Sequence, residues 1–286
     1  MTSIDMPDIP LAKGLMCGST AIVTGGGSGL GRGIALGLAA CGASVIVSGR
    51  RAEVLDDAVA EIRASGGAAA AVPCDIRDPD AVAAMVAEAE SALGPVNVLV
   101  NNAGATFTAP AETLSPNAFR AVVETDAFGT FYACQEVGRR WIERGTGGAI
   151  LNITSTSPMT GNPGRIHGGV GKAGVDSLTK SLAVEWGRHG IRVNSLAPGY
   201  TPTAGVNKAT RVERASAADL ARLGAAVPLG RVGTVEDIVW PAVFLVSPAA
   251  AFVNGAALIV DGGKWLSSGR TFVAAAGEPV SAPAPS

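Results

Sequence analysis

The stretch Thr24-Gly25-Gly26-Gly27-Ser28-Gly29-Leu30-Gly31, "TGGGSGLG", follows the β-branched run "STAIV" and opens the helical pattern "RGIALGLAACG". Glycine lets a backbone turn sharply and approach a pyrophosphate closely, and a helix N-terminus offers it free N–H groups and a favourable dipole. Alone, a glycine cluster says little. Between a first strand and an amphipathic helix it predicts a dinucleotide-binding loop, with Gly25, Ser28, Gly29, Leu30 and Gly31 as candidate contacts.

Outward from that loop the same unit repeats. The runs "ASVIVSGR", "AAAVPCDI", "PVNVLVNNAG", "GGAILNITS", "IRVNSLAPG" and "AALIVDGG" alternate with helical patterns of ten or more residues. Repeated βα units with right-handed crossovers give an α/β fold, a doubly wound parallel sheet of about seven strands. The strands carry few alternating polar residues, as expected when helices cover both faces. No linker interrupts the alternation from about Ser19 to Gly263. A single domain is therefore expected over residues 15–268, with an N-terminal extension at 1–14 and a flexible Ala-, Pro- and Ser-rich tail at 269–286.

Composition narrows the class. The chain has 286 residues, 48% hydrophobic and 16% charged, enough for a sizeable core and too little charge for disorder. Net charge is −2 and the basic residues are scattered, which argues against nucleic acid or an anionic membrane as partner and for a small molecule. Cys17, Cys41, Cys74 and Cys134 lie far apart without metal-ligand spacing. No metal site is expected, and a reducing cytoplasm suits such thiols. The opening "MTSIDMPDIPLAKG" lacks the basic and apolar regions of a signal peptide, and no run has the length of a membrane span.

In open sheets of this kind, ligands bind at the carboxyl ends of the strands. After the second strand, "VSGRR" places Arg50 where a carboxylate would serve a free ribose 2′-hydroxyl. A guanidinium suits a 2′-phosphate, which favours NADP(H) over NAD(H); Arg51 reads as a solvated helix-start residue. Asp75-Ile76 comes after the third strand, where Asp75 could accept a bond from an adenine amino group. Asn102-Ala103-Gly104 comes after the fourth and permits close backbone approach near the adenosine ribose. Each also reads as turn-forming, but their recurrence at strand ends favours the cofactor.

From about Leu15 to Leu266, "TGGGSGLG", "NNAG", "NITS", "GKAGVDSLTKSLAVEW", "IRVNSLAPG" and "VDGG" together resemble the short-chain dehydrogenase/reductase family. The resemblance implies a Rossmann-type domain that transfers hydride to or from a nicotinamide, assembled as a homotetramer, with Pro198 and Gly199 among the cofactor contacts. It also implies an asparagine in the helix after the fourth strand, a serine after the fifth, and a tyrosine four residues before a lysine. Residues i and i+4 share a helix face, so phenol and ammonium meet the same ligands. Here Ser155 and Lys172 match, but "RIHGGVGK" has Gly168 at the tyrosine position and "VVETDAFGTF" has Asp126 at the asparagine position. Tyr132, six residues beyond Asp126, projects to another face, and Tyr200 in "PGYTPT" is expected to line the substrate.

This double departure is similar to the peroxisomal-type 2,4-dienoyl-CoA reductase branch. There a small residue replaces the tyrosine, a histidine precedes it and an aspartate occupies the helix site. The resemblance implies NADPH-dependent reduction of an α,β-unsaturated, 2,4-dienoyl CoA thioester. Asp126 would be the acid, directly or through a water, with Lys172 on the nicotinamide ribose and Ser155 near the carbonyl. Arg77, for a CoA phosphate, and Phe107, for the acyl or pantetheine channel, match substrate-side positions. His167 and Tyr200 are further substrate candidates, and residues 202–226 are expected to form a mobile lid. Two alternatives stay open. One is a carbonyl reductase or alcohol dehydrogenase whose acid has moved to Tyr200, His167 or Asp126; the other is a non-catalytic NADP-binding protein.

Overall fold

The computed structural model describes residues 11–203 and 216–267. The strands β1 (Thr20–Thr24), β2 (Ser44–Gly49), β3 (Ala69–Pro73), β4 (Val98–Asn101), β5 (Gly148–Ile153), β6 (Ile191–Pro198) and β7 (Ala257–Val260) coincide with the seven apolar runs. They form one sheet in the order β3-β2-β1-β4-β5-β6-β7, with every neighbouring pair parallel. Strand order reverses between β1 and β4. That switch point opens a crevice beyond the strand ends, where a dinucleotide lies across folds of this type.

The helices are α1 (Gly29–Ala40), α2 (Ala52–Ala64), α3 (Pro79–Leu93), α4 (Pro116–Val123), α5 (Gly129–Arg144), α6 (Ser157–Thr160), α7 (Ile166–Trp186), α8 (Ala217–Ala225) and α9 (Val235–Val246). Because side chains alternate along a strand, each face of the sheet has its own core. Val45 and Val47 join Ile34, Leu38, Ile238 and Val243 under α1 and α9. Ile46 joins Ile22, Met85, Leu99, Trp141 and Leu182 under α3, α5 and α7.

Side-chain caps fix four of the helix starts, those of α3, α4, α8 and α9. The Asp78 carboxylate accepts from the Asp80 N–H at α3, the Ser115 hydroxyl from Ala118 at α4, and Thr234 forms a reciprocal box with Asp237 at α9. At α1, as at α2, α5, α6 and α7, no side chain caps the start, and its first turn holds no acid. Its first-turn N–H groups are thus left for a ligand. The same helix lies close against α9, since a Cβ on Gly33 or Gly37 would fall 2.3 Å from Val235 or Val239.

The expected lid at 202–226 falls partly outside the described residues, at 204–215, and its described remainder contains the capped helix α8. The terminal segments 1–10 and 268–286 lie outside them as well. Among the described residues no helix is long and apolar enough to cross a membrane, and no group of three or more His, Cys, Asp or Glu is placed to hold a metal ion.

Candidate active site

The glycine loop is a fitted cradle. A Cβ on Gly31 would lie 2.3 Å from the Gly25 carbonyl oxygen, and Gly25 itself takes a positive φ of 65°. A side-chain clasp closes the switch point beneath it. The Thr24 hydroxyl accepts from the N–H groups of Asn102 and Ala103 at 3.0 and 3.1 Å, while the Asn102 amide donates to the carbonyls of Thr24 and Gly25 at 3.0 and 3.3 Å. Asn102, a candidate ligand contact, spends its side chain on the loop. Ser28 and Arg50 are exposed, whereas Leu30 packs against the core and Ile76 is buried against Gly129. An uncapped helix start, a close glycine turn and an exposed arginine after β2 fit a dinucleotide bearing a 2′-phosphate.

Asp75 and Arg77, candidates for different ligands, are paired with each other in the structure. Arg77 Nε donates to both Asp75 oxygens at 2.9 and 3.1 Å, its Nη2 reaches Oδ2, and its backbone N–H donates to Oδ1 at 3.1 Å. Hydrogen bonding from that guanidinium, above all, lowers the Asp75 pKa to about 2.

The centre of the site is built on a widened helix. Between α4 and α5 the residues Glu124–Phe128 form one π-helical turn, and the Thr130 hydroxyl on α5 donates back to the Asp126 carbonyl at 2.7 Å. Such turns occur often at functional sites. This one turns Asp126 inward to 1% exposure. Its Oδ1 accepts from the Ala105 N–H at 2.8 Å, and its Oδ2 stands 4.0 Å from Lys172 Nζ. Space is tight, because a Cβ on Gly171 would lie 2.8 Å from Asp126 Cβ. Lys172 Nζ also donates to the Ile153 carbonyl at 2.9 Å. One turn further along α7, Asp176 accepts from the Ser195 hydroxyl at 3.2 Å, tying the lysine's helix to β6; burial raises its pKa.

Gly168 leaves open space. Among the described residues, the nearest atom to a Cβ built there is Thr106 Oγ1, at 3.6 Å. Sequence motifs do not single out Thr106, although a signal is present: Gly104, Thr106 and Thr108 are exposed while Ala105, Phe107 and Ala109 turn inward, the alternation of an extended segment. Ser155 is half-buried, its hydroxyl accepting from the Ser157 N–H at 3.3 Å.

His167 does not line the cleft as expected. Its ring is fully buried and stacks on Phe107, centroids 4.2 Å apart at 24°, so two expected substrate residues face each other. Tyr132 packs against the α3-side core, away from the site. Tyr200 is half-buried, and its backbone carbonyl accepts from Gly233 N–H at 3.0 Å. Pro198 ends β6 beside β7 and Gly199 follows it, so close to Asp261 that a Cβ would fall 2.7 Å away.

The family model described as Enoyl-(Acyl carrier protein) reductase matches residues 25–264. A Bacillus subtilis (strain 168) protein named "Probable 2,4-dienoyl-CoA reductase" is 42% identical over 248 residues, covering 86% of this chain and 96% of the relative. The peroxisomal 2,4-dienoyl-CoA reductase of Danio rerio is 36% identical, covering 89% and 84% respectively. Among solved structures, a candidate NAD(P)-dependent gluconate 5-dehydrogenase from Beutenbergia cavernae with bound NADP superimposes with a TM-score of 0.80 at 40% identity, covering 88% of this chain and 98% of that one. With its parallel seven-stranded sheet, glycine loop and Lys172 helix, the chain is a member of the short-chain dehydrogenase/reductase family of oxidoreductases.

Proposed function

We propose that this chain is an NADPH-dependent reductase of α,β-unsaturated, 2,4-dienoyl CoA thioesters. The observation that carries this reading is the absence of a side chain at Gly168, with Thr106 Oγ1 across the gap and Lys172 set beside Asp126. A ketone reductase must protonate an oxygen. A conjugated thioester instead needs its enolate oxygen stabilised while a proton goes to carbon, so a phenol is dispensable. The relatives named as dienoyl-CoA reductases support the substrate class, and the neighbour with bound NADP, together with exposed Arg50, supports the cofactor.

NADPH, when bound, supplies the hydride that converts the dienoyl thioester into a dienolate. The chain does the rest. The glycine loop and α1 hold the pyrophosphate, and Arg50 meets the 2′-phosphate. Lys172 spends one N–H on Ile153 and turns another toward Asp126, keeping a third for a ribose hydroxyl. The Thr106 and Ser155 hydroxyls donate to the thioester oxygen as charge builds there. Asp126, at 1% exposure, passes a proton only through an intermediary, an ordered water or Lys172 itself. The assembly is a homotetramer in a reducing cytoplasm, where the four thiols stay free.

The test is NADPH oxidation with trans-2,trans-4-hexadienoyl-CoA, set against gluconate-type and simple ketones. Dienoyl turnover should dominate, and Thr106→Val, which loses an oxyanion donor, and Asp126→Asn, which loses the acid, should each cut kcat by about 10²-fold. Ketone turnover that survives in Asp126→Asn, with no dienoyl turnover by the wild type, would make the chain a carbonyl reductase. NADPH binding without turnover of either would leave it a non-catalytic binder.

A further inference from the structure

His167 is a buried titratable group that the proposed chemistry leaves idle. Its ring is fully buried, and among the described residues neither nitrogen has a hydrogen-bond partner of good geometry. Leaving such groups unsatisfied costs about 1–3 kcal/mol each. What the ring does have is a flat partner, Phe107, at 4.2 Å and 24°. Phe107 is the middle of an extended segment pinned at both ends: Ala105 N–H donates to Asp126 at 2.8 Å, and Ala109 N–H to the Gly164 carbonyl at 2.9 Å. Between these pins sits Thr106, whose hydroxyl overlooks Gly168.

We infer that His167 is a positioning residue, a platform on which Phe107 rests, and that through this stack it sets Thr106 over the gap at Gly168. Three anchors thus fix a segment of five residues, and the central one is a ring contact. Aromatic stacks of this geometry contribute about 0.5–1.5 kcal/mol beyond their buried area. Proton transfer is not the ring's task. Burial, and to a smaller degree Arg165, holds the imidazole neutral by lowering its pKa, while the Phe107 backbone and Asp126 pull the other way. No lone pair or N–H reaches the open cleft.

The role rests on the proposed thioester reduction only for the choice of assay substrate. His167→Phe keeps the disc and deletes the nitrogens, whereas His167→Ala removes the disc. Amide hydrogen exchange at Ala105 and Ala109 should stay within about threefold of wild type in His167→Phe and rise about tenfold in His167→Ala, the factor for 1.4 kcal/mol of lost restraint. With hexadienoyl-CoA, His167→Ala should raise KM and lower kcat together by about tenfold, and His167→Phe should restore both to within about threefold. Should His167→Ala fail to fold, Phe107→Ala removes the same stack from its half-buried side and should loosen the same two amides. Loss of turnover in His167→Phe with exchange unchanged would assign chemistry to the ring nitrogens and overturn the inference. Unchanged exchange in both alanine variants would overturn it as well. A wild type inert toward dienoyl-CoA, but showing this exchange pattern, would sink the proposed substrate and leave the platform standing.

Discussion

Gly168 has an ordinary helical backbone and, among the described residues, only Thr106 Oγ1 near its missing Cβ, so a larger residue can enter without displacing the helix. Gly168→Tyr should therefore fold at least as stably, since leaving glycine in a helix gains about 0.5 kcal/mol. A phenol there would occupy the space over Lys172. Dienoyl turnover should fall at least tenfold as Thr106 is crowded, while ketone turnover appears or rises; thermal melting and the two assays read these outcomes separately. Asp126 and Lys172 were legible as a pair because motif spacing places each on its helix. The stack of His167 on Phe107 and the outlook of Thr106 were not, because spacing along a chain says nothing about which loops meet across a cleft; the Asp75–Arg77 pair, two residues apart, was missed because each was assigned to a different ligand.

At the scale of elements, α1 is the part that positions a ligand, and its glycines do two different jobs. Gly25 and Gly31 shape the loop, but Gly33 and Gly37 admit the valines of α9. A Cβ at Gly37 would fall 2.3 Å from Val239 Cγ1, on a short branched side chain with little freedom to yield. Overpacking of this kind costs about 1–3 kcal/mol, more than the roughly 1 kcal/mol that alanine gains in helix propensity. Gly37→Ala should lower the denaturant midpoint and weaken NADPH binding together, as α1 shifts away from its seat; unfolding and cofactor titrations check the pair. The helix was readable from its amphipathic pattern. Its close approach to α9 was not, because the two lie some two hundred residues apart in sequence.

For the molecule as a whole, the repeated βα pattern was enough to foresee the sheet, since parallel strands buried on both faces leave little choice of topology. The charge network far from the ligand crevice was not foreseen. Glu90 on α3 meets Arg140 at 2.9 Å and Arg144 at 2.7 Å, and Glu136 joins it through Arg140 at 2.6 Å. Hydrogen bonding to Arg144 is the main cause that lowers the Glu90 pKa. An acid whose pKa falls on folding contributes stability above its unfolded pKa, and that contribution is lost as the pH drops through the folded value. Because Arg144 is 40% exposed, the network is worth about 1 kcal/mol. Glu90→Gln should lower stability by that amount at neutral pH and match wild type in a buffer acid enough to protonate Glu90, as urea titrations at the two pH values would show.

The widened turn at Glu124–Phe128 carries a last consequence, for the arithmetic of the chain. A π turn holds one residue more than an α turn, so α4 and α5 run as one rod set out of phase. Deleting a single residue there would heal the rod and rotate one half against the other by about 100°. The sheet would stand untouched, yet the carboxylate would swing off its bearing toward Lys172. Activity in this protein is written in a count of residues as well as in their kinds, and a one-residue indel at this place would act as a switch.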